Sequence, residues 1–466
     1  MNWQQQAEER QNELLADLQA LVQINSVLDE STMTEEVPFG NGPLEALNWM
    51  LEQGKAQDMK VKNMANKVGY IEMGEGEEMV GILCHVDVVP AGSDWVHAPF
   101  GAEIEDGKLF GRGAIDDKGP TMAAWLAMKM VKDAGVKLDR RVRMIIGSDE
   151  ETGFRCVEHY FANEEMPTLG FAPDADFPII NAEKGIAVLE FNQAPAASEN
   201  EQLVSFKAGH RTNMVPDYAE AVLTDVPQST EMIFHAFLSN AQLQGEYTEI
   251  GDTIKISIKG KSAHAMEPNA GVNAAVKLAQ FLNVILTTEH AKQFVNFVVT
   301  AFANETRGHA LKLNFNDEIS GDTTLNAGVV SYTPQTGGKV EVSMRYSVTY
   351  PYADKIAAVA QVLPTLGFTL AVTENSEPHH VDANSELIQK LSKVYERNTG
   401  EQAELLAIGG GTYARELDNG VAFGMLFPGE PDIAHQADEF VVIENLIKAA
   451  AIYADAIIEL ATKEEV

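Results

Sequence analysis

The apolar run from Met79 to Cys84 ends in His85, and Asp87 stands two positions further on. Imidazole is the commonest protein ligand for a transition metal, and its second ring nitrogen is usually held by a carboxylate that fixes tautomer and direction. His85 therefore reads as a ligand and Asp87 as its orienter. A histidine after a strand is more often a satisfied core or surface residue, so the weight of this pair depends on its company.

That company is spread along the chain. Gly111-Arg112-Gly113-Ala114-Ile115-Asp116-Asp117-Lys118-Gly119 sets two acids in a glycine-punctuated turn before a helix-like stretch at 121–132. The ordinary reading is a loop whose aspartate caps the helix. The strand-like segment 141–146 runs into Gly147-Ser148-Asp149-Glu150-Glu151-Thr152. Three adjacent acids are normally a solvated charge run. Beyond the carboxyl end of a buried strand, however, they stand where open α/β sheets hold ligands. Pro173-Asp174-Ala175-Asp176 and Ala434-His435-Gln436-Ala437-Asp438-Glu439 complete an order of His, Asp, Glu, Asp and His, for which a dinuclear metal site is the economical explanation.

The set HVDVVP, GRGAIDDKG, DEET, PDAD and AHQADE resembles the co-catalytic zinc exopeptidases, which include aminoacylase, succinyl-diaminopimelate desuccinylase and carnosinase. Within that family it looks most like the bacterial dipeptidase V (PepV) group. The likeness covers nearly the whole chain, including Ser262-Ala263-His264-Ala265 and Gly409-Gly410-Gly411-Thr412-Tyr413-Ala414-Arg415. It implies that Asp116 bridges two metals about 3.5–4 Å apart. His85 and Asp174 would complete one metal, and Glu151 and His435 the other. Glu150 would be the general base and Asp87 the partner of His85. Asp117 competes with Asp116, and Asp176 with Asp174; the family's spacing favours the first of each pair. The likeness also makes His264 the electrophile that stabilises the oxyanion, a donor worth about 10²–10³-fold in rate, and Asn213 a substrate contact from an inserted lid.

The chemistry accounts for these residue types independently. Two divalent cations carry about four positive charges, which three carboxylates and one hydroxide cancel, so a water-derived nucleophile is favoured near neutral pH. Glu150, next to a ligand, can take the water's proton and return it to the departing amine. Adjacent side chains on an extended strand point oppositely. Residues 149–151 are therefore expected to form an irregular turn with strained geometry or a cis bond.

Arg345 shares the polar face of an alternating strand with Ser343 and Ser347, and either reaches a substrate carboxylate or is a plain surface arginine. The run around Gly410 lacks the Gly-Lys-Ser/Thr ending of a phosphate loop. Its backbone amides, with Arg415 nearby, suit a carboxylate and hence a substrate with a free C-terminus.

At 466 residues the chain exceeds what one core usually serves, and two domains are expected. A composition of 45% hydrophobic and 22% charged residues is that of an ordinary globular protein. The net charge of -35 opposes association with nucleic acid or anionic membranes. The N-terminus lacks a signal-peptide pattern and no apolar stretch reaches membrane-spanning length, so a cytoplasmic location is the default. Cys84 and Cys156 are the two cysteines. In a reducing compartment neither is expected to form a disulfide, and Cys84 reads as a small buried thiol.

Leu14, Leu18, Leu21 and Val22 recur at helical spacing, predicting an opening helix packed on the catalytic sheet. Continuous apolar strands alternating with helices predict a mainly parallel α/β sheet. In the middle, Ile254, Ile256 and Ile258, and then Val340, Val342, Met344, Tyr346, Val348 and Tyr350, alternate with polar residues as antiparallel strands do, with helices expected at 272–286 and 353–363. These patterns predict an α/β catalytic domain, 1–184 and 384–466, interrupted by an α+β insertion at 185–383; the resemblance implies that the former is zinc-exopeptidase-like and that the latter is its lid. The resemblance implies a monomeric, metal-dependent dipeptidase with two Zn²⁺, Mn²⁺ being the other candidate, acting on dipeptides that include β-Ala-Xaa and Xaa-His. An N-acyl-amino-acid deacylase of the acetylornithine or succinyl-diaminopimelate type is the alternative.

Overall fold

The structure is a computed structural model and describes residues 1–198 and 200–463. The chain forms two compact units, one built from residues 1–181, 380–406 and 411 onward, the other from 182–379 with 407–410. The sequence reading divides the chain at 184/185 and 383/384. The return of 407–410 to the second unit is a further crossing that periodicity does not signal.

The first unit is organised by a mixed sheet. Its strands run in the order Lys60–Met64, Val68–Met73, Arg141–Gly147, Met79–His85, Leu169–Ala172 and Gly420–Ala422. The four from Arg141–Gly147 to Gly420–Ala422 are parallel, and the first two join antiparallel. Every residue of Met79–His85 is buried, as an unbroken apolar run in a covered parallel strand should be. Helices Lys118–Asp133 and Ile443–Ala461 pack on each other and on this strand. The helix that carries Leu14, Leu18, Leu21 and Val22, expected on the sheet, is Gln11–Val22, and it packs on helix Lys118–Asp133.

The second unit holds an antiparallel sheet in the order Gln244–Ile250, Thr253–Lys259, Tyr218–Leu223, Leu203–Ala208, Thr324–Thr333, Gly337–Tyr346, Gly185–Gln193 and Phe368–Ser376. Helices Ala274–Ile285 and Glu289–Phe302 share its core with Phe206, Phe191 and Val340. Asn273 caps the first by accepting the Val276 N–H. The alternation expected to reach Tyr350 stops at Tyr346, because the Asp317 carboxylate draws the Thr349 N–H and hydroxyl out of any ladder. The fold is therefore mixed α/β, with a sheet rich in parallel strands in one unit and a separate antiparallel sheet in the other. Among the described residues no helix is long and apolar enough to cross a membrane.

Candidate metal centre

Strand ends deliver the polar groups of the first unit. Met79–His85 and Arg141–Gly147 run parallel in register, His85 facing Gly147, so both chains leave the sheet at the same edge. Leu169–Ala172 leaves it beside them and carries Asp174 two residues on. Packing is tight here: a Cβ on Gly147 would lie 2.2 Å from the Tyr413 hydroxyl. That hydroxyl also meets the Cys156 sulfur at 2.8 Å, beneath the turn that bears the three acids.

Two trios of potential metal-binding side chains meet at one residue: His85, Asp116 and Asp174, and Asp116, Glu151 and His435. Asp116 Oδ1 lies 3.1 Å from His85 Nε2, and Oδ2 lies 2.9 Å from His435 Nε2. Asp174 Oδ2 stands 3.4 Å from His85 Nε2, and Glu151 Oε2 3.2 Å from His435 Nε2. Thus the five residues singled out as metal ligands lie together.

The neighbouring acids turn elsewhere. Asp117 does not cap its helix through its side chain. Its Oδ2 instead accepts the His85 N–H at 3.0 Å and the Thr121 hydroxyl at 3.0 Å. Asp176 lies outside both trios and pairs through its backbone with Leu426. Asp149 is taken by Arg155, whose Nε and Nη2 reach its two oxygens at 2.6 and 2.5 Å.

Asp87 holds His85 differently from the expectation. The His85 Nδ1 hydrogen bond goes to the Asp87 backbone oxygen at 3.0 Å, while the carboxylate stands 3.6 Å away. The carboxylate accepts two backbone N–H groups, those of Glu150 and Glu151, each at 3.1 Å. One residue thereby ties the imidazole to the acidic turn. The turn at 149–151 is irregular, as expected, but the non-proline cis bonds lie at Asp116–Asp117 and Gly424–Met425 instead.

The electrostatics call for positive charge. Hydrogen bonds to Asp116 and Glu151 push the His435 imidazole up to about 11. Burial, aided by the Asp116 charge, pushes the Glu151 carboxyl up to about 7. Burial likewise drives the Glu150 carboxyl well above its usual range. Oxygen and imidazole donors gathered in two trios with an excess of carboxylate are a fit for divalent cations, which meet the same demand as the protons.

The remaining predicted residues fall in both units. In the second, Asn213 accepts the Ala265 N–H at 2.8 Å through its backbone oxygen, Met214 forms a bridge with His264, and the Met266 N–H donates to His264 Nδ1 at 3.2 Å. Thr324, whose hydroxyl approaches the Ala265 oxygen at 3.5 Å, pairs with Arg345 in the sheet. Asn213, His264 and Arg345 therefore share one corner of that unit. Arg345 is buried, which removes the surface-arginine reading. Gly410 belongs to the same unit, whereas Arg415 lies in the first, in a short helical turn at Tyr413–Glu416.

Sequence reasoning missed a buried ion pair beside the trios. Arg112 Nη1 lies 2.5 Å from Glu439 Oε2, with side-chain exposures of 1% and 0%. It also missed the anchoring of the His435 segment by Asp438, which accepts the Val96 and His97 N–H groups at 3.0 and 2.9 Å. The only signal was the presence of an arginine and two acids inside the quoted motifs.

Residues 81–459 match the model of peptidase family M20/M25/M40. A Bacillus subtilis (strain 168) protein bearing the provisional name dipeptidase YtjP is 47% identical, over 99% of this chain and 100% of its own. A provisionally named dipeptidase of Staphylococcus epidermidis is 39% identical over the same shares. Among solved structures, human carnosine dipeptidase 1 aligns with a TM-score of 0.58 at 14% identity, covering 98% of both chains. The Sulfolobus solfataricus metallo-carboxypeptidase Sso-CP2 gives 0.58 at 17%, covering 96% and 99%. At those identities the two structures speak to the fold alone.

Proposed function

The chain belongs to peptidase family M20/M25/M40 and is a hydrolase of the metallopeptidase class; from that premise we propose that it is a dipeptidase cleaving the amide beside a free carboxylate with the help of two divalent cations. The observation that carries this reading is the meeting of two trios at Asp116. The full-length likeness to proteins provisionally named as dipeptidases supports the substrate class.

In this reading His85 and Asp174 would hold one cation, Glu151 and His435 the other, and Asp116 would serve both. Zinc and manganese both suit a donor set without thiolate. When bound, the ions supply the Lewis acidity that makes water a competent nucleophile near neutral pH. Glu150 accepts the proton of the attacking water and passes it to the departing amine. Its buried carboxyl, which holds a proton more tightly than an exposed one, suits that shuttle. Asp87 keeps the backbone of the shuttle in place.

His264 donates to the oxyanion. Because the Met266 N–H occupies Nδ1, the neutral ring carries its proton on Nε2 and presents a donor there. Asn213, Arg345, the amide of Gly410 and Arg415 take the substrate's carboxylate and backbone. The enzyme so described is a cytoplasmic monomer acting on free dipeptides, β-Ala-Xaa and Xaa-His among them.

Two measurements test it. Purified protein assayed on Xaa-His, β-Ala-His and N-acetyl amino acids should turn over the dipeptides and leave the acylated substrates. Hydrolysis confined to the acylated ones establishes the deacylase instead. Glu150→Ala should keep its metal content and lose about 10²–10⁴-fold in kcat, and full turnover by that variant removes Glu150 as the base.

A further inference from the structure

The Arg112–Glu439 pair is buried, and nothing in the chemistry above uses it. A buried ion pair is not in itself a good stabiliser, since its desolvation offsets its Coulomb gain. Its hydrogen bonds are more informative. Glu439 Oε1 accepts the backbone N–H groups of Ile115 and Asp116 at 3.0 and 3.3 Å. Arg112 Nη2 donates to the backbone oxygens of His435 and Ala91 at 3.2 and 3.3 Å. The Gly111 N–H donates to the Glu439 backbone oxygen at 2.9 Å. The same Ala91 oxygen receives the Trp95 indole N–H at 2.7 Å, and the guanidinium lies 5.1 Å from the Trp95 ring.

We propose that Arg112 and Glu439 are positioning residues that lock Asp116 and His435 to each other and thereby set the affinity of the cation those two residues share. The proposal rests on the two-cation reading. Its force lies in an asymmetry between the trios. His85 ends a buried strand and Asp174 follows another, so the sheet places both. His435 is half-exposed, stands at a positive φ of 64° in a loop, and has no sheet neighbour to fix it. Its backbone oxygen is fixed by Arg112, and the backbone nitrogen of Asp116 by Glu439. Two ligands of one trio, His435 and Asp116, thus depend on the pair, whereas the other trio takes only the shared Asp116 from it. Removal of an outer partner of a metal ligand typically weakens affinity about 10–100-fold.

The test is a Co²⁺ titration of the metal-free full-length protein, followed by visible absorption and calorimetry, on wild type, Glu439→Gln and Arg112→Lys. A glutamine cannot accept from both Arg112 and the two N–H groups through one oxygen. A lysine cannot span Glu439, Ala91 and His435 at once. Wild type should bind two equivalents; a single equivalent there refutes the two-cation reading itself. In each variant the ratio between the two affinities should change at least tenfold, and kcat should fall by a similar factor while KM stays within threefold. Two equivalents with the wild-type ratio, even with a lowered unfolding midpoint, would make the pair a plain fold staple and overturn the proposal. Should Glu439→Gln fail to fold, Arg112→Lys decides on the same ratio.

Discussion

Asp87 divides its work between two kinds of atom: its backbone oxygen aims His85, and its carboxylate gathers the N–H groups of Glu150 and Glu151. An Asp87→Asn substitution leaves the backbone oxygen untouched but can offer only one acceptor oxygen to two donors. We expect His85-dependent metal uptake to survive and kcat to fall by about 10–100-fold, measured as metal stoichiometry beside steady-state rates. Equal loss of both would return the orienting role to the carboxylate. The distinction was not available from residue types, because a His-x-Asp spacing states that the two residues are near and not which oxygen is used. Choosing Asp116 over Asp117 was likewise beyond local pattern. It depends on the His85 N–H drawing Asp117 inward, a contact between residues 32 positions apart.

At the scale of elements, the sequence disclosed what periodicity and strand ends can disclose. Buried runs at Met79–His85 and Arg141–Gly147, each followed by polar side chains, gave both the sheet and the edge on which the chemistry sits. Arg112 and Glu439, 327 positions apart, leave no such trace, since the pairing arises only after the fold has formed. The turn that carries Asp116 into helix Lys118–Asp133 is equally a product of packing. A Cβ on Gly119 would lie 2.1 Å from the Ala114 backbone oxygen, which no side-chain rotation relieves. Gly119→Ala should therefore destabilise the protein by about 1–3 kcal/mol in denaturant unfolding and depress activity beyond what the lost stability explains. A variant with unchanged unfolding and rate would mean that the turn has slack.

Over the whole molecule, a charge of -35 places carboxylates in excess, and the cations present are correspondingly well used. A hydrogen bond from Arg10, with help from Lys129, lowers the Glu13 carboxyl to about 2, and Arg140 with Lys390 does the same for Glu386. Both carboxyls lie below their unfolded value of 4.5. The stability they contribute is complete above that value and drains away as the pH falls toward 2. Both side chains are more than a third exposed, so screening keeps each effect modest. Arg10→Gln with Arg140→Gln should move the acid unfolding midpoint to higher pH and leave the neutral rate of hydrolysis as it was. An unmoved midpoint would remove these pairs from the acid response.

Strand Gly420–Ala422 lies between Leu169–Ala172 on one side and Ile180 on the other. A ribosome thus completes both flanks, and then the entire second unit, before it delivers the piece that fits between them. A sheet assembled within that interval has an open seam at this position, with unpaired amides and carbonyls able to recruit a passing extended segment. Synthesis of this protein should lean on holdase chaperones, and translational arrest after residue 183 but short of residue 420 should yield aggregates rather than a truncated but tidy fragment.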